Sequence, residues 1–324
     1  MKKGILLINL GSINICKKKV LVRFLREFLM DQRVISIPFW KRWLLVHCII
    51  LPFHARKSIK NYQKIWSENG SPLLFHSQEL AKKVQSILGN DYVVELAMRY
   101  GNQSIEDGIE KLRLQNVNSL NIFPLFPQYA SSTIGSIHEK VMQTLSKGNI
   151  IPNLIFQSGF HNRETYIDCM CSHIKKQHDF KSGYFMIFSY HSLPLSQINE
   201  NQLIGFNGKT AYNYHQACIE TSAAIAAKLK LNEHGYLTTF QSSMGNGNWL
   251  SPSTAETLKS LPGNEKKNVV ICAPSFVADC LETVLEIDVD YRQLFLSSGG
   301  ENFIFIESLN SNDAWASVIA SMVS

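Results

Sequence analysis

Eight short runs rich in aliphatic and aromatic residues constrain this chain most, at 4–9, 92–98, 119–124, 153–157, 184–189, 236–241, 268–272 and 302–306. Most are nearly continuous apolar stretches, the pattern of strands buried on both faces of a parallel sheet. Helical patterns separate them, at 20–29, 78–88, 105–114, 137–145, 166–177, 214–229 and 281–295. A β-α-β-α order throughout predicts an α/β fold. Four of the runs precede residue 160 and four follow, which predicts two similar open parallel-sheet halves, 1–160 and 161–324. The last helix is able to pack back on the first half. With no flexible linker between them, the halves are expected to pack closely around a cleft.

Charge and cysteine usage exclude several function classes. The 324 residues carry 32 Lys+Arg against 26 Asp+Glu, a net charge of +6, and the lysine clusters are short and scattered. A nucleic-acid binder of this size needs a stronger basic stripe, so no nucleic-acid partner is expected. Seven cysteines without any C-x-x-C support neither a disulfide framework nor a zinc ribbon and suit reduced thiols in a cytoplasm. Cys169-Met170-Cys171 reads as partly buried thiols on one helix. Met1-Lys2-Lys3 and the apolar run after it imitate a signal peptide, but the run is too short and lacks a cleavage site, so it reads as a buried first strand. The apolar run 43–53 is far below the ~20 residues of a spanning helix. Beside it, Phe39, Trp40, Lys41, Arg42 and Trp43 mix aromatics with cations. That mixture fits a membrane interface and equally a core helix with exposed cations.

Nucleotide cofactors are disfavoured. No G-x-G-x-x-G follows any strand, and Gly208-Lys209-Thr210 has Leu203 where a phosphate loop needs glycine. Gly245-Asn246-Gly247 is too short to count.

In open α/β sheets, ligands bind beyond the carboxyl ends of the strands. There His191 follows an apolar strand in Ser189-Tyr190-His191-Ser192-Leu193-Pro194. An imidazole at that position serves as a base or metal ligand, or as a structural turn residue. Asp279, Glu282, Glu286 and Asp290 recur every three or four residues, so on an α-helix they share one face. Such a stripe is either a solvated face or a path for protons or metal. Ser71-Pro72 and the loop 128–133 read as ordinary polar loops.

Taken in order, the motifs resemble those of the ferrochelatases, the terminal enzymes of haem synthesis. The matching stretches are Leu6-Leu7-Ile8-Asn9-Leu10-Gly11, 24–34, Tyr62 with Ile65-Trp66 and Gly70-Ser71-Pro72-Leu73-Leu74, and Met98-Arg99-Tyr100-Gly101. They continue with Pro124-Leu125-Phe126-Pro127-Gln128-Tyr129, 189–194, Phe240-Gln241-Ser242 with Trp249-Leu250, 279–282 and Leu309-Asn310. The Asp279-Cys280-Leu281-Glu282-Thr283 form is similar to the proteobacterial branch.

The resemblance implies two Rossmann-like domains enclosing a porphyrin cleft, and insertion of ferrous iron into protoporphyrin IX. It assigns His191 as metal ligand and proton acceptor, Glu282 as its acidic partner, and Glu286 and Asp290 as a carboxylate path. It places Leu10 against the macrocycle and has Tyr62, Ser71, Arg99, Tyr100, Tyr129 and Trp249 shape or anchor the porphyrin. Ferrous iron enters as a substrate; no cofactor and no cysteine-ligated iron cluster are expected. The expected location is the cytoplasm, with peripheral membrane contact through 39–53. Ser12-Ile13 stands where the family usually has Thr-Pro after Asn9-Leu10-Gly11, and Ser243 and His54 stand where basic residues are usual. The last two keep open a porphyrin-binding protein without insertion activity, and a chelatase for a related tetrapyrrole is the other alternative.

Overall fold

The structure is a computed structural model that describes residues 2–179, 183–199, 213–243 and 248–324. The stretches Gly208-Lys209-Thr210 and Gly245-Asn246-Gly247 lie outside the described residues.

All eight apolar runs are strands. β1 (Lys3–Ser12), β2 (Tyr92–Gly101), β3 (Ser119–Pro124) and β4 (Asn153–Phe156) form one parallel sheet in the order β2-β1-β3-β4. β5 (Phe185–His191), β6 (Tyr236–Gln241), β7 (Asn268–Cys272) and β8 (Asn302–Phe305) form a second with the equivalent order β6-β5-β7-β8. Each is therefore an open Rossmann-like sheet whose first strand lies inside, next to the point where the strand order reverses. Ile5, Leu6, Leu7 and Ile8 are wholly buried on both faces of β1, which is why that strand has no polar alternation.

The chain divides into two compact units. The first comprises Met1–Phe126, Ala130–Gly159 and Asn310–Ser324, and the second Pro127–Tyr129 and Phe160–Leu309. In the first unit, Leu6 and Ile8 of β1 meet Ile105 and Leu112 from the helix Ile105–Leu114 and Ile137 and Val141 from the helix Ser136–Leu145. The carboxyl-terminal helix Asp313–Val323 belongs here because it packs against the helix Pro72–Leu88, where Lys83 donates to Asp313 at 2.7 Å. In the second unit, Phe185, Ile187, Val269 and Ile271 pack against Leu258, Ile287, Tyr291 and Phe295.

Three strands run further at their carboxyl ends than the apolar pattern indicates: β1 to Ser12, β2 to Gly101 and β5 to His191. Polar residues can extend these strands because the ladder, not apolar burial, sets their length. Gly11 is obligatory in that extension. Its φ is +127°, and a Cβ there would lie 2.1 Å from the Tyr100 carbonyl oxygen of the neighbouring strand.

The segment 281–295 is not the α-helix its pattern predicts. Leu281–Tyr291 is a π-helix that passes into the α-helix Arg292–Ser297. Asp279 lies before it, buried, with its carboxylate accepting from Thr283 Oγ1 at 2.9 Å and from the Ser308 amide at 3.2 Å. It therefore anchors the start of the helix rather than joining an acidic stripe.

The aromatic segment combines a buried apolar face with exposed aromatic rings and cations. Across the helix Phe39–Leu44, the π-helix Leu45–Ile50 and the helix Leu51–Ile65, Val46, Leu51, Ala55, Tyr62 and Ile65 are buried, while Phe39, Trp40, Trp43, Leu44, Ile49 and Phe53 face out. Phe39, Trp40 and Phe53 are 65%, 61% and 74% exposed, whereas Arg42 is buried and donates to the Ile35 and Ile37 carbonyls at 3.0 and 2.8 Å. Among the described residues no helix is long and apolar enough to cross a membrane.

Candidate active site

His191 is the last residue of β5, paired in register with Gln241 at the end of β6. Its Nδ1 lies 2.6 Å from the Ser192 carbonyl oxygen, which can only accept, so Nδ1 carries the hydrogen. A neutral ring then presents its lone pair at Nε2. The backbone around it is tightly held. Ser192 N donates to the Gln241 carbonyl at 2.8 Å, and Tyr214 Oη donates to the His191 carbonyl at 2.9 Å. Burial raises the Tyr214 phenol far above its ordinary value, so it stays a donor.

Trp249 is brought beside this turn. It forms an antiparallel bridge with Pro194, framed by Leu250 N to Leu193 O at 3.1 Å and Leu195 N to Asn248 O at 2.8 Å. Its ring is half-buried, as is Tyr129 in the same unit.

Glu282 opens the π-helix and is half-buried, with its backbone carbonyl accepting from Gln241 Nε2 at 2.9 Å. It sits against the Cys280 thiol, which burial and then this carboxylate raise far above the usual thiol range. Glu286 has a different environment. Its carboxylate accepts from the Ser242 amide at 3.0 Å, Ser242 Oγ, Gln241 Nε2 at 3.3 Å and Tyr291 Oη at 2.8 Å, four donors in all. Burial, then the adjacent Glu286 charge, raises the Tyr291 phenol, which keeps it protonated and donating. An ion reaching a carboxylate so engaged would have to displace at least one of these donors. Asp290 is exposed near the carboxyl-terminal end of the helix. Among the described residues no three His, Cys, Asp or Glu side chains are grouped to hold a metal ion.

In the first unit, Leu10 is half-buried near the carboxyl end of β1. Ser71 is buried, 2.6 Å from Ser12 Oγ at the end of that strand, and Tyr62 is buried on the helix Leu51–Ile65. Arg99 and Tyr100 are occupied by Asp31. The guanidinium and the phenol donate to Asp31 Oδ2 at 2.7 and 2.8 Å, joined by Ser136 Oγ at 2.6 Å. Tyr100 has no exposed surface to offer a ligand in this conformation. Burial opposes ionisation of Asp31, but these hydrogen bonds and the Arg99 charge outweigh it and lower its pKa. Ser243 and His54 are both exposed.

Reading residue by residue missed Asp31, Gln241, Ser242 and Tyr291. Gln241 and Ser242 lie inside a matched motif, but nothing local assigns them a partner.

The family model for ferrochelatase matches residues 2–324. The chain belongs to the ferrochelatase family. It is thus a chelatase that inserts ferrous iron into a porphyrin in haem biosynthesis, with the porphyrin and ferrous iron as its substrates. Ferrochelatase of Legionella pneumophila strain Philadelphia 1 is 40% identical over 100% of this chain and 99% of its own. Those of Idiomarina loihiensis and Alcanivorax borkumensis are 36% and 37% identical, each over 99% of this chain and over 87% and 93% of their own. Among solved structures, SirB from Bacillus subtilis with Fe3+ matches at a TM-score of 0.58 and 11% identity, covering 100% of this chain and 94% of that one. The sirohydrochlorin chelatase SirB from Bacillus subtilis subspecies spizizenii with cobalt matches at 0.55 and 10%, with the same coverage. At that identity the likeness is one of fold, and the ferrochelatase assignment stands on the full-length relatives.

Proposed function

We propose that iron insertion in this ferrochelatase is carried out by His191 and Glu282 at the carboxyl end of the second sheet, on protoporphyrin IX. The carrying observation is the His191 ring itself, whose Nδ1 is committed to the Ser192 carbonyl and whose lone pair is therefore on Nε2. Insertion exchanges two pyrrole N–H protons for one ferrous ion, so the site needs a base, an outlet for protons and donors that ferrous iron accepts. His191 Nε2 takes a pyrrole proton or meets the ion, and the Glu282 carboxylate takes the proton onward, so both pyrrole protons leave in turn through this pair. Nitrogen and oxygen donors suit ferrous iron without thiolate. Glu286 lies behind them, held by its four donors, and exposed Asp290 is the place where released protons or hydrated iron meet solvent. Trp249 and Tyr129 offer flat aromatic surface to the macrocycle. No electron changes hands, so this reading calls for no resident cofactor. Anaerobic haem formation from protoporphyrin and ferrous iron, by wild type and His191→Ala side by side, tests it; unchanged turnover in the variant refutes the assignment.

A cytoplasmic location with peripheral membrane contact is part of the same proposal. Exposed Phe39, Trp40, Trp43 and Phe53 beside exposed Lys41, Arg56 and Lys57 match the interfacial mixture of aromatic rings and cations. Cosedimentation with anionic vesicles, lost in Trp40→Glu/Phe53→Glu, tests it; unchanged cosedimentation of that variant rejects it.

A further inference from the structure

Gln241 is buried, and its side chain makes contacts that no local pattern announces. Its Oε1 accepts from Ser189 Oγ at 2.7 Å, and that hydroxyl also lies 2.8 Å from Thr254 Oγ1. Its Nε2 faces acceptors: the Glu282 carbonyl at 2.9 Å and Glu286 Oε2 at 3.3 Å. A flipped amide would set oxygen against these two acceptors and nitrogen against Ser189, so the donor set defines the orientation. The backbone carbonyl of Gln241 binds the Ser192 amide at 2.8 Å. One residue therefore grips β5 on both sides of His191 and grips the first turn of the π-helix at Glu282. The next residue completes the clamp. Ser242 has φ +62°, and its amide and hydroxyl both donate to Glu286.

We infer that Gln241 is a positioning residue for iron insertion, holding the turn that carries Glu282 in register with the strand end that carries His191. The inference rests on the assignment of His191 and Glu282 above. It separates the clamp from the chemistry: Gln241 touches neither ion nor macrocycle, so its loss costs turnover and not porphyrin affinity. The side-chain amide is needed because the turn offers only acceptors. A carboxylate in its place would face the Glu286 carboxylate and the Glu282 carbonyl without a hydrogen to give.

The contact to Glu286, unlike that to the Glu282 carbonyl, also prescribes its own repair. In a Gln241→Glu/Glu286→Gln variant, the new amide nitrogen at 286 occupies the Oε2 position and donates to the new carboxylate at 241. The oxygen at Oε1 still accepts from the Ser242 amide and Tyr291, as it does now.

The experiment is steady-state insertion by the full-length chain, with protoporphyrin affinity from fluorescence quenching and the melting temperature taken on the same samples. Gln241→Glu is expected to lose about thirtyfold in kcat, the scale of one or two charge-assisted hydrogen bonds. Protoporphyrin Kd is expected to stay within about threefold, because only turnover depends on the clamp. The Gln241→Glu/Glu286→Gln variant is expected to recover only the part of the loss owed to the 241–286 contact, because the Glu282 carbonyl still lacks its donor. Wild-type turnover in Gln241→Glu overturns the inference. If Gln241→Glu does not fold, Gln241→Met, similar in length and without donors, must show the same loss of kcat with affinity kept, and an unchanged kcat overturns it equally. His191→Ala run alongside keeps the two readings apart, since full turnover there overturns the site assignment whatever Gln241 does.

Discussion

His191 Nδ1 and the carbonyl oxygen of Ser192, the next residue in the chain, are 2.6 Å apart. The carbonyl accepts, the imidazole donates, and the tautomer is decided by its own backbone. This leaves Nε2 as the nitrogen proposed to act on the porphyrin. His191→Ala is expected to abolish haem formation while protoporphyrin affinity stays within about tenfold, because apolar contact dominates binding of a flat macrocycle. Absorbance-monitored turnover and fluorescence titration of the two proteins check both halves.

Glu282→Gln keeps the side-chain shape and leaves the backbone carbonyl that Gln241 holds. It removes the carboxylate proposed to receive protons or iron. Turnover is expected to fall at least about a hundredfold, the scale of a lost acid–base group, with the melting temperature nearly unchanged. A near-normal rate moves the acidic role elsewhere. Asp290→Asn, at an exposed position, is expected to cost far less.

Asp31 and Arg99 form an ion pair whose side chains are only 9% and 14% exposed. Asp31→Asn leaves the guanidinium buried without its counter-charge and is expected to destabilise the first unit by about 3 kcal/mol. Because the folded pKa of Asp31 is held below its ordinary 3.8, the stability it supplies is complete above that value and is lost as pH falls through the lower folded pKa. Urea unfolding of both proteins across the acid range checks this. The difference between them is expected to be largest near neutrality and to shrink toward low pH.

Thiol chemistry divides the cysteines sharply. All seven are free; Cys48 is exposed and Cys16 half-buried, while Cys169, Cys171, Cys218, Cys272 and Cys280 are buried. Burial pushes Cys169 and Cys171 up to about 11 and the other three well above the usual range. Thiolate is the reactive form, so a disulfide reagent at pH 8 is expected to modify Cys48 fast, Cys16 slowly and the other five only after unfolding. Mass spectrometry of partly labelled protein reads the order directly. Fast labelling of Cys280 in folded protein would contradict the buried placement beside Glu282.

Much of this architecture is legible in the amino-acid sequence, for a definite reason. A strand buried on both faces needs apolar residues throughout, so β1 and β3 announce themselves without any knowledge of partners, and eight such runs in βα order leave little but paired parallel sheets. Motif order from Leu6 to Asn310 carries the family, and His191 stands out because a polar ring closes an apolar strand.

What escaped the sequence is whatever depends on partners far along the chain or on a turn of unusual width. The acids 282, 286 and 290 look equivalent at α-helical spacing, yet only tertiary structure turns the segment into a π-helix. There residues five apart are neighbours, so Tyr291 reaches Glu286. The donors from Ser242 stand 44 residues from Glu286, and Asp31 stands 68 from Arg99. No periodicity encodes such pairs. The exposed rings of Phe39 and Trp40 over a buried Arg42 follow the same rule. Spacing reports that a helix has two faces, but which face turns inward depends on where the carbonyls of Ile35 and Ile37 wait for a cation.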